Sequence, residues 1–306
     1  MKHILVIGAS GFVGKHLVKA LLTEKYHVRA LARNPDKVKD LAQLGSEIVK
    51  ADISNRDSLN PAFEDIDAVY VSVHTLSPQH TSTADKGFME VEFKGIQNIV
   101  EASKSHGVTR LIYVTSLGVA ADSPSEWTRE RWKVQEYLFQ SGLDVTVLQP
   151  GQIVGSGGNG FDMMVKQANK TTAVMLANGK QRWRTIAVDD LVYYLVGVLD
   201  EPRMFGQSYE VGADDILTND QMVDVIADVL GRKHPRKLHI PRGLIRRASP
   251  LIERSAKMPR GSMRGLVDSM DTDAIGDPSK IRAILPRPPM PYRKAVEVAL
   301  GTNHAS

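Results

Sequence analysis

Short apolar runs alternate with longer segments whose apolar residues recur every three or four positions, from the first residues onward. Ile4–Ile7 is an apolar run that ends at a glycine. Phe12–Leu22 follows, with Val13, Leu17, Ala20 and Leu21 at helical spacing. Val28–Leu31 reads as a strand, Lys37–Leu44 as a helix, and Glu47–Lys50 as a strand leading into Ala51-Asp52-Ile53. Ala68–Val73 is a β-branched run, and Glu90–Ser103 places Val91, Ile96, Ile99, Val100 and Ala102 at helical spacing. Leu111–Thr115 reads as a strand, Glu126–Gln140 as a helix, and Asp144–Leu148 as a strand stopped by Pro150-Gly151. Apolar strands without strict polar alternation are buried on both faces, and helices between them serve as right-handed crossovers. The pattern predicts an α/β chain with a doubly wound parallel sheet over residues 1–154.

The pattern changes after Pro150. Gly155-Ser156-Gly157-Gly158-Asn159-Gly160 reads as a mobile loop, followed by a short helix over Phe161–Ala168 and a polar stretch to Trp183. Ile186–Asp190 precedes a helix over Leu191–Leu199. Thr218 or Asn219 caps a helix over Gln221–Leu230 that Gly231 ends. Leu244, Ile245, Ala248, Leu251 and Ile252 form an amphipathic pattern that Pro250 should kink. There is no repeat and no long linker. Residues 155–184 and 209–306 are expected to form a smaller lobe, with 185–208 packing back onto the first domain.

Composition narrows the classes. The chain has 306 residues and no cysteine, which excludes disulfides, thiolate metal sites and a cysteine nucleophile. A reducing cytoplasm is the expected location. No apolar run approaches the roughly 18 residues of a membrane span. Ile4–Ile7 is too short for the core of a secretory signal. The net charge of +4 is unevenly spread: Arg232–Arg264 holds 11 Lys or Arg against one acid, Glu253, while the other residues hold 28 basic and 34 acidic groups. This segment is either a solvated face or a patch for a membrane surface or protein partner, with nucleic acid disfavoured. The nine histidines show no ligand spacing, so no metal site is expected.

Gly8-Ala9-Ser10-Gly11-Phe12-Val13-Gly14 spans the junction of the first strand and first helix. In this pattern Gly8 makes the turn, Gly11 lets the backbone approach a pyrophosphate, and Gly14 allows close helix packing. The helix N-terminus supplies N–H groups and partial positive charge to the phosphates. Placement in a βαβ unit separates the motif from an ordinary tight turn. At the end of the second strand, an NAD site usually holds an acid. His27–Asn34 contains none, and Arg33 stands where a guanidinium clamps a 2′-phosphate, with Lys37 one turn on. NADP(H) is therefore favoured over NAD(H). Asp52 and Ile53 are placed for the adenine, Val73 and His74 for the cofactor edge, and Thr115, Pro150 and Gly151 for the nicotinamide side.

GASGFVG, ALARNP, Glu92–Ser103, Arg110–Gly118 and Leu143–Gly151 together resemble the atypical short-chain dehydrogenase/reductases, in particular the NmrA-like and YbjT-like NAD(P)-binding proteins. The likeness continues through Ile153–Phe161, Arg184–Leu191 and Tyr209–Thr218 and so covers nearly the whole chain. It implies a Rossmann-type doubly wound parallel sheet with a smaller C-terminal substrate lobe. It also implies a catalytic set of Ser or Thr with Tyr-x-x-x-Lys. Ser116 matches the serine and Lys133 the lysine, but Arg129 stands at the tyrosine position. Arginine is a poor proton donor or acceptor.

Three readings follow. Lys133 serves as the general acid, or His74 does from the end of the fourth strand, or no acid–base chemistry occurs and Arg129 meets an anion or a surface acid. The remaining candidates carry less: Trp183 and Arg184 for the cleft, the 155–160 glycines for a lid over substrate, and Asp189 and Asp190 for helix caps. The expected function is an NAD(P)H-dependent oxidoreductase on a small carbonyl, enone or quinone-like substrate. The alternative is a non-catalytic NADP(H)-binding redox sensor or assembly or regulatory protein. A sugar-nucleotide epimerase ranks third, since it too would want the tyrosine. The residues do not set an oligomeric state.

Overall fold

The structure is a computed structural model that describes residues 1–73, 88–255, 258, 260–270 and 272–302, with side chains described from residue 92 in the second segment. β1 (His3–Ile7) runs through a tight turn into α1 (Phe12–Thr23), and β2 (His27–Ala32) returns parallel to it, Ile4 opposite Val28. A 3-10 turn over Pro35–Val38 and the short α2 (Lys39–Gln43) replace the single helix expected over Lys37–Leu44. Pro35 presets the turn, and the Asn34 side chain accepts from the Asp36 N–H. Next come β3 (Glu47–Lys50), α3 (Asn60–Phe63), β4 (Ala68–Val71), α4 (Phe88–Ser105), β5 (Arg110–Val114), α5 (Glu126–Phe139) and β6 (Asp144–Pro150).

The second half contains β7 (Gln152–Val154), α6 (Asn159–Ala168), β8 (Thr172–Leu176), β9 (Arg182–Ala187), α7 (Val188–Gly197), β10 (Gln207–Val211), β11 (Ile216–Thr218) and α8 (Asn219–Val229). β12 (Arg236–Ile240), α9 (Arg242–Ser255), α10 (Ser262–Ser269), α11 (Ser279–Ile284) and α12 (Tyr292–Leu300) complete it.

The central sheet has seven parallel strands in the order β10-β6-β5-β4-β1-β2-β3. This is the doubly wound Rossmann-type arrangement extended by β10, and its strand order reverses between β1 and β4. Alternate residues of β1 enter opposite cores, as a strand with both faces covered requires. Ile4 and Val6 pack with Leu17, Leu21, Tyr70, Leu191 and Leu195; Leu5 and Ile7 pack with Phe63, Val69, Ile99, Val134 and Leu138. One face is thus covered by α1 and α7 and the other by α3, α4 and α5.

α7 packs on α1, and β10 pairs with β6 at the edge of the central sheet. A third core, built from Phe161, Met222, Ile226, Tyr292 and Val296, organises the remaining elements with a three-stranded sheet β11-β9-β7 and a pair β12-β8. The polar stretch before Trp183 contains β8, in which buried Ala173 and Met175 alternate with exposed Thr172 and Val174. Residues 155–160 form a packed turn into α6: Gly157 N–H bonds to Asp162 Oδ1 at 3.1 Å, and the Phe12 ring lies against Gly155 and Gly158. The segment expected to form a mobile loop thus meets α1 through the Phe12 ring. Thr218 caps α8 through a reciprocal box with Gln221. α9 continues through Pro250.

Candidate functional site

All seven strands point the same way, so their carboxyl ends share one edge, where open α/β sheets bind ligands. Along it lie Gly8 after β1, Arg33 after β2, Asp52 after β3, Ser72-Val73 after β4, Thr115-Ser116 after β5 and Gly151 after β6. His74 lies outside the described residues.

The Gly8–Gly14 segment is shaped by backbone contact. Gly8 has φ +92°, and a Cβ there would lie 2.3 Å from the Ser72 carbonyl oxygen. A Cβ on Gly14 would lie 2.2 Å from the Gly8 carbonyl oxygen, so the first turn of α1 rests directly on the loop. Gly11 N–H donates to Gly8 O at 2.9 Å, and Gly11 is the N-cap of α1 with no side chain capping the helix. The first helical bond there is Lys15 N–H to Gly11 O at 3.0 Å, leaving the Phe12, Val13 and Gly14 amides without intrahelical acceptors. Ser10 is exposed beside them. This tight turn delivers the positive end of a 12-residue helix to one point, as a pyrophosphate needs.

Arg33 is exposed at the end of β2 and makes no hydrogen bond or ion pair among the described residues. Asp52 is partly committed: its Oδ1 accepts from Ser54 N and Ser54 Oγ at 2.9 and 2.8 Å. Ile53 is buried against α4, where Asn98 Nδ2 donates to its carbonyl at 2.7 Å. Val73 is half-buried.

Lys133 does not reach this edge. Its side chain is 60% exposed and pairs with Glu130 at 2.6 Å on the outer face of α5. Arg129 also stays on the outer part of that helix and donates to the Ser123 carbonyl at 2.5 Å. The residues α5 turns inward are Trp127, Thr128, Arg131, Val134, Gln135 and Leu138. Arg131, fully buried, donates through Nη2 to Glu92 Oε2 and through Nη1 to Thr115 Oγ1, both at 3.2 Å. Its guanidinium lies 5.1 Å from the Trp127 ring centre. Tyr113 donates to Glu92 Oε1 at 3.0 Å. Burial, then the neighbouring Glu92 charge, pushes the Tyr113 hydroxyl up. Burial pulls the Arg131 pKa down, but the Glu92 charge and then Tyr113 outweigh it, and the net shift is upward. Arg131 therefore stays cationic in its buried pair. Beside it, Gln149 Nε2 donates to Gln135 Oε1 at 2.9 Å.

Sequence reasoning missed Arg131, Glu92, Tyr113 and Gln135. The signal was present: Val134 and Leu138 set the inward phase of α5, and Arg131 shares it at i−3 and i−7, whereas Lys133 does not. The Ser116 hydroxyl is buried next to Thr115 and has no partner among the described residues. Gly151 abuts the Arg184 carbonyl. Arg184 is spent on the carbonyls of Ala213, Ile275 and Gly276. The buried carboxylate of Asp190 accepts from Arg287 Nε at 2.6 Å and Met290 N–H at 2.8 Å, clamping the C-terminal segment rather than capping α7. Among the described residues no group of acids and histidines is arranged to hold a metal.

A family model described as NAD(P)H-binding matches residues 8–202, from the glycine turn through α7. The chain belongs to this NAD(P)H-binding family. As a member of it, the protein is an atypical short-chain dehydrogenase/reductase in fold and cofactor class. It is 24% identical over 246 residues to a mitochondrial NADH dehydrogenase [ubiquinone] 1 alpha subcomplex subunit 9 from Arabidopsis thaliana, covering 77% of this chain and 60% of that protein. It is 32% identical over 146 residues to the photosystem II assembly factor Ycf39 of Cyanophora paradoxa, covering 48% of this chain and 44% of that one. These matches span less than two thirds of either relative. With an NAD(P)H azoreductase of Xenophilus azovorans the identity is 26%, over 75% of this chain and 74% of that one. In fold, the NADPH-dependent quinone oxidoreductase QOR2 of Escherichia coli superposes with a TM-score of 0.72 at 20% identity, covering 97% and 99% of the two chains. This NAD(P)H-binding protein has no helix, among the described residues, long and apolar enough to cross a membrane.

Proposed function

We propose that the protein is an NADPH-dependent reductase of an enone or quinone-like compound. The observation that carries the reading is the buried, unpartnered Ser116 hydroxyl at the end of β5. Leaving such a group unsatisfied costs about 1–3 kcal/mol, and a substrate oxygen would satisfy it. The glycine turn and the first amides of α1 would hold the pyrophosphate, and Arg33 the 2′-phosphate. Bound NADPH would supply a hydride. Ser116 would donate to the substrate oxygen as negative charge develops there. The Glu92–Arg131–Thr115 bonds position the end of β5, so that Ser116 is presented without reorganisation. With Lys133 turned outward, the described residues bring hydroxyls and a paired cation to this edge. Such a site suits a substrate that leaves a stabilised anion, as enones and quinones do, better than a simple ketone that needs a strong acid beside it.

The test is steady-state oxidation of NADPH with enone, quinone and ketone panels, alongside calorimetric titration of NADPH and NADH. Enone or quinone turnover that falls on the order of 10²-fold in Ser116→Ala, at unchanged NADPH affinity, supports the reading. Arg33→Asp should shift preference towards NADH. Tight NADPH binding with no turnover on any panel favours the second reading, a cofactor-binding assembly or regulatory protein. The outward Lys133 and the assembly role of the Ycf39 relative speak for that alternative.

A further inference from the structure

The basic segment carries an unpartnered amphipathic face. α9 is a 14-residue helix, about 21 Å long at 1.5 Å per residue. Ile245, Ser249 and Glu253, four residues apart, are buried on its inner side. The Glu253 carboxylate accepts from Gly261 N–H at 3.0 Å and Met263 N–H at 2.8 Å and so locks α9 to the start of α10. α10 in turn is tied to α5 by Ser125 Oγ donating to Gly265 O at 3.1 Å.

The opposite side of α9 is ordered by a seven-residue repeat. Leu244 and Leu251 are 58% and 74% exposed, two turns apart on one line. Arg247 and Arg254 form a parallel exposed line three residues on from each leucine. Neither arginine makes a hydrogen bond or ion pair among the described residues. The strand leading into α9 adds exposed Leu238, preceded by exposed Arg232, Lys233 and Arg236.

We propose that α9 docks the protein on an anionic lipid surface, lying in the plane of the interface. Charge complementarity selects this occupant: Lys237, Arg246 and Arg264 pair with Asp224 and Asp268, but Arg247 and Arg254 stay on the exposed face, and the segment's one acid, Glu253, is turned inward to α10. The line of leucines enters the acyl boundary while the adjacent arginines reach lipid phosphates. A purely ionic contact with an acidic protein would leave Leu244 and Leu251 unaccounted for. The proposal stands apart from the catalytic reading, and its test uses no turnover.

The experiment is co-sedimentation of the whole protein with phosphatidylcholine vesicles containing or lacking phosphatidylglycerol. Binding only to the anionic vesicles is expected. It should be lost near 1 M salt, where the screening length is about 3 Å. Each Arg→Ala change at 247 or 254 should weaken it about fivefold, the equivalent of one basic contact. Leu244→Asp with Leu251→Asp should abolish it, with Leu244→Gln as a milder variant should the pair fold poorly. Leu44→Asp, an exposed leucine after α2, should leave it unchanged. Intact folding of each variant is read from its melting curve and NADPH titration. Equal binding to both vesicle types, no binding, or binding indifferent to the leucines overturns the proposal. Capture by polyglutamate but not by vesicles assigns the face to an acidic protein instead.

Discussion

Arg131 and Glu92 form an ion pair at 3.2 Å in which both side chains are withdrawn from solvent, directly beneath the end of β5. Removing one partner leaves a buried charge without compensation. Arg131→Met or Glu92→Gln should therefore destabilise the fold by about 3–5 kcal/mol. The double variant should lose less than the sum of the singles, since neither charge remains. Urea denaturation of the three variants measures this; additive losses would show that the pair is not coupled.

Lys133 offers the opposite expectation. An exposed pair three residues apart on a helix contributes a few tenths of a kcal/mol at most, about 0.3–0.5. Lys133→Ala should leave both the melting temperature and the NADPH affinity close to those of the parent. A loss of affinity beyond about threefold would place the lysine at the cofactor after all.

Gly14 tests the cofactor loop. Its hydrogen faces the Gly8 carbonyl oxygen where a methyl group would sit at 2.2 Å. Because the obstacle is backbone, α1 or the loop must shift. Gly14→Ala should cost about 1–3 kcal/mol of stability and weaken NADPH binding more than tenfold. Calorimetric titration beside a melting curve separates the two effects.

Acid stability follows from the surface carboxylates. A hydrogen bond from Arg203 holds Glu201 down to about 2 from its ordinary 4.5, and bonds from Lys15 and the Arg182 backbone lower Asp40 and Asp273. A lowered folded-state pKa means the unfolded chain binds protons first. The stabilisation is therefore complete above the ordinary carboxylate range and is lost as pH falls through the lower folded values. The melting temperature should be level from about pH 7 to 5 and decline from about pH 4.5 towards 2. A decline beginning near pH 6 would point to histidine instead.

The apolar runs were enough to read most of the central sheet, because a parallel strand covered on both faces leaves a short apolar run, and its length and the turn residues flanking it set it apart from a buried helix. The glycine turn was legible for a similar reason: Gly8 and Gly14 face backbone atoms, and no other residue fits. β10 was hidden because it is short and mostly polar, and β8 because it is five residues long within a polar stretch; their places come from the strands beside them.

What the sequence by itself determined is the class of fold, the dinucleotide turn and the family, all carried by local patterns. What only the tertiary structure decided is what the inward face of α5 meets, Glu92 of α4 and Thr115 at the end of β5. Lys133 and Arg131 differ by two positions in the chain but by about 200° around a helix. The packing of Val134 and Leu138 into the core turns Arg131 to Glu92 and Thr115 and leaves Lys133 in solvent.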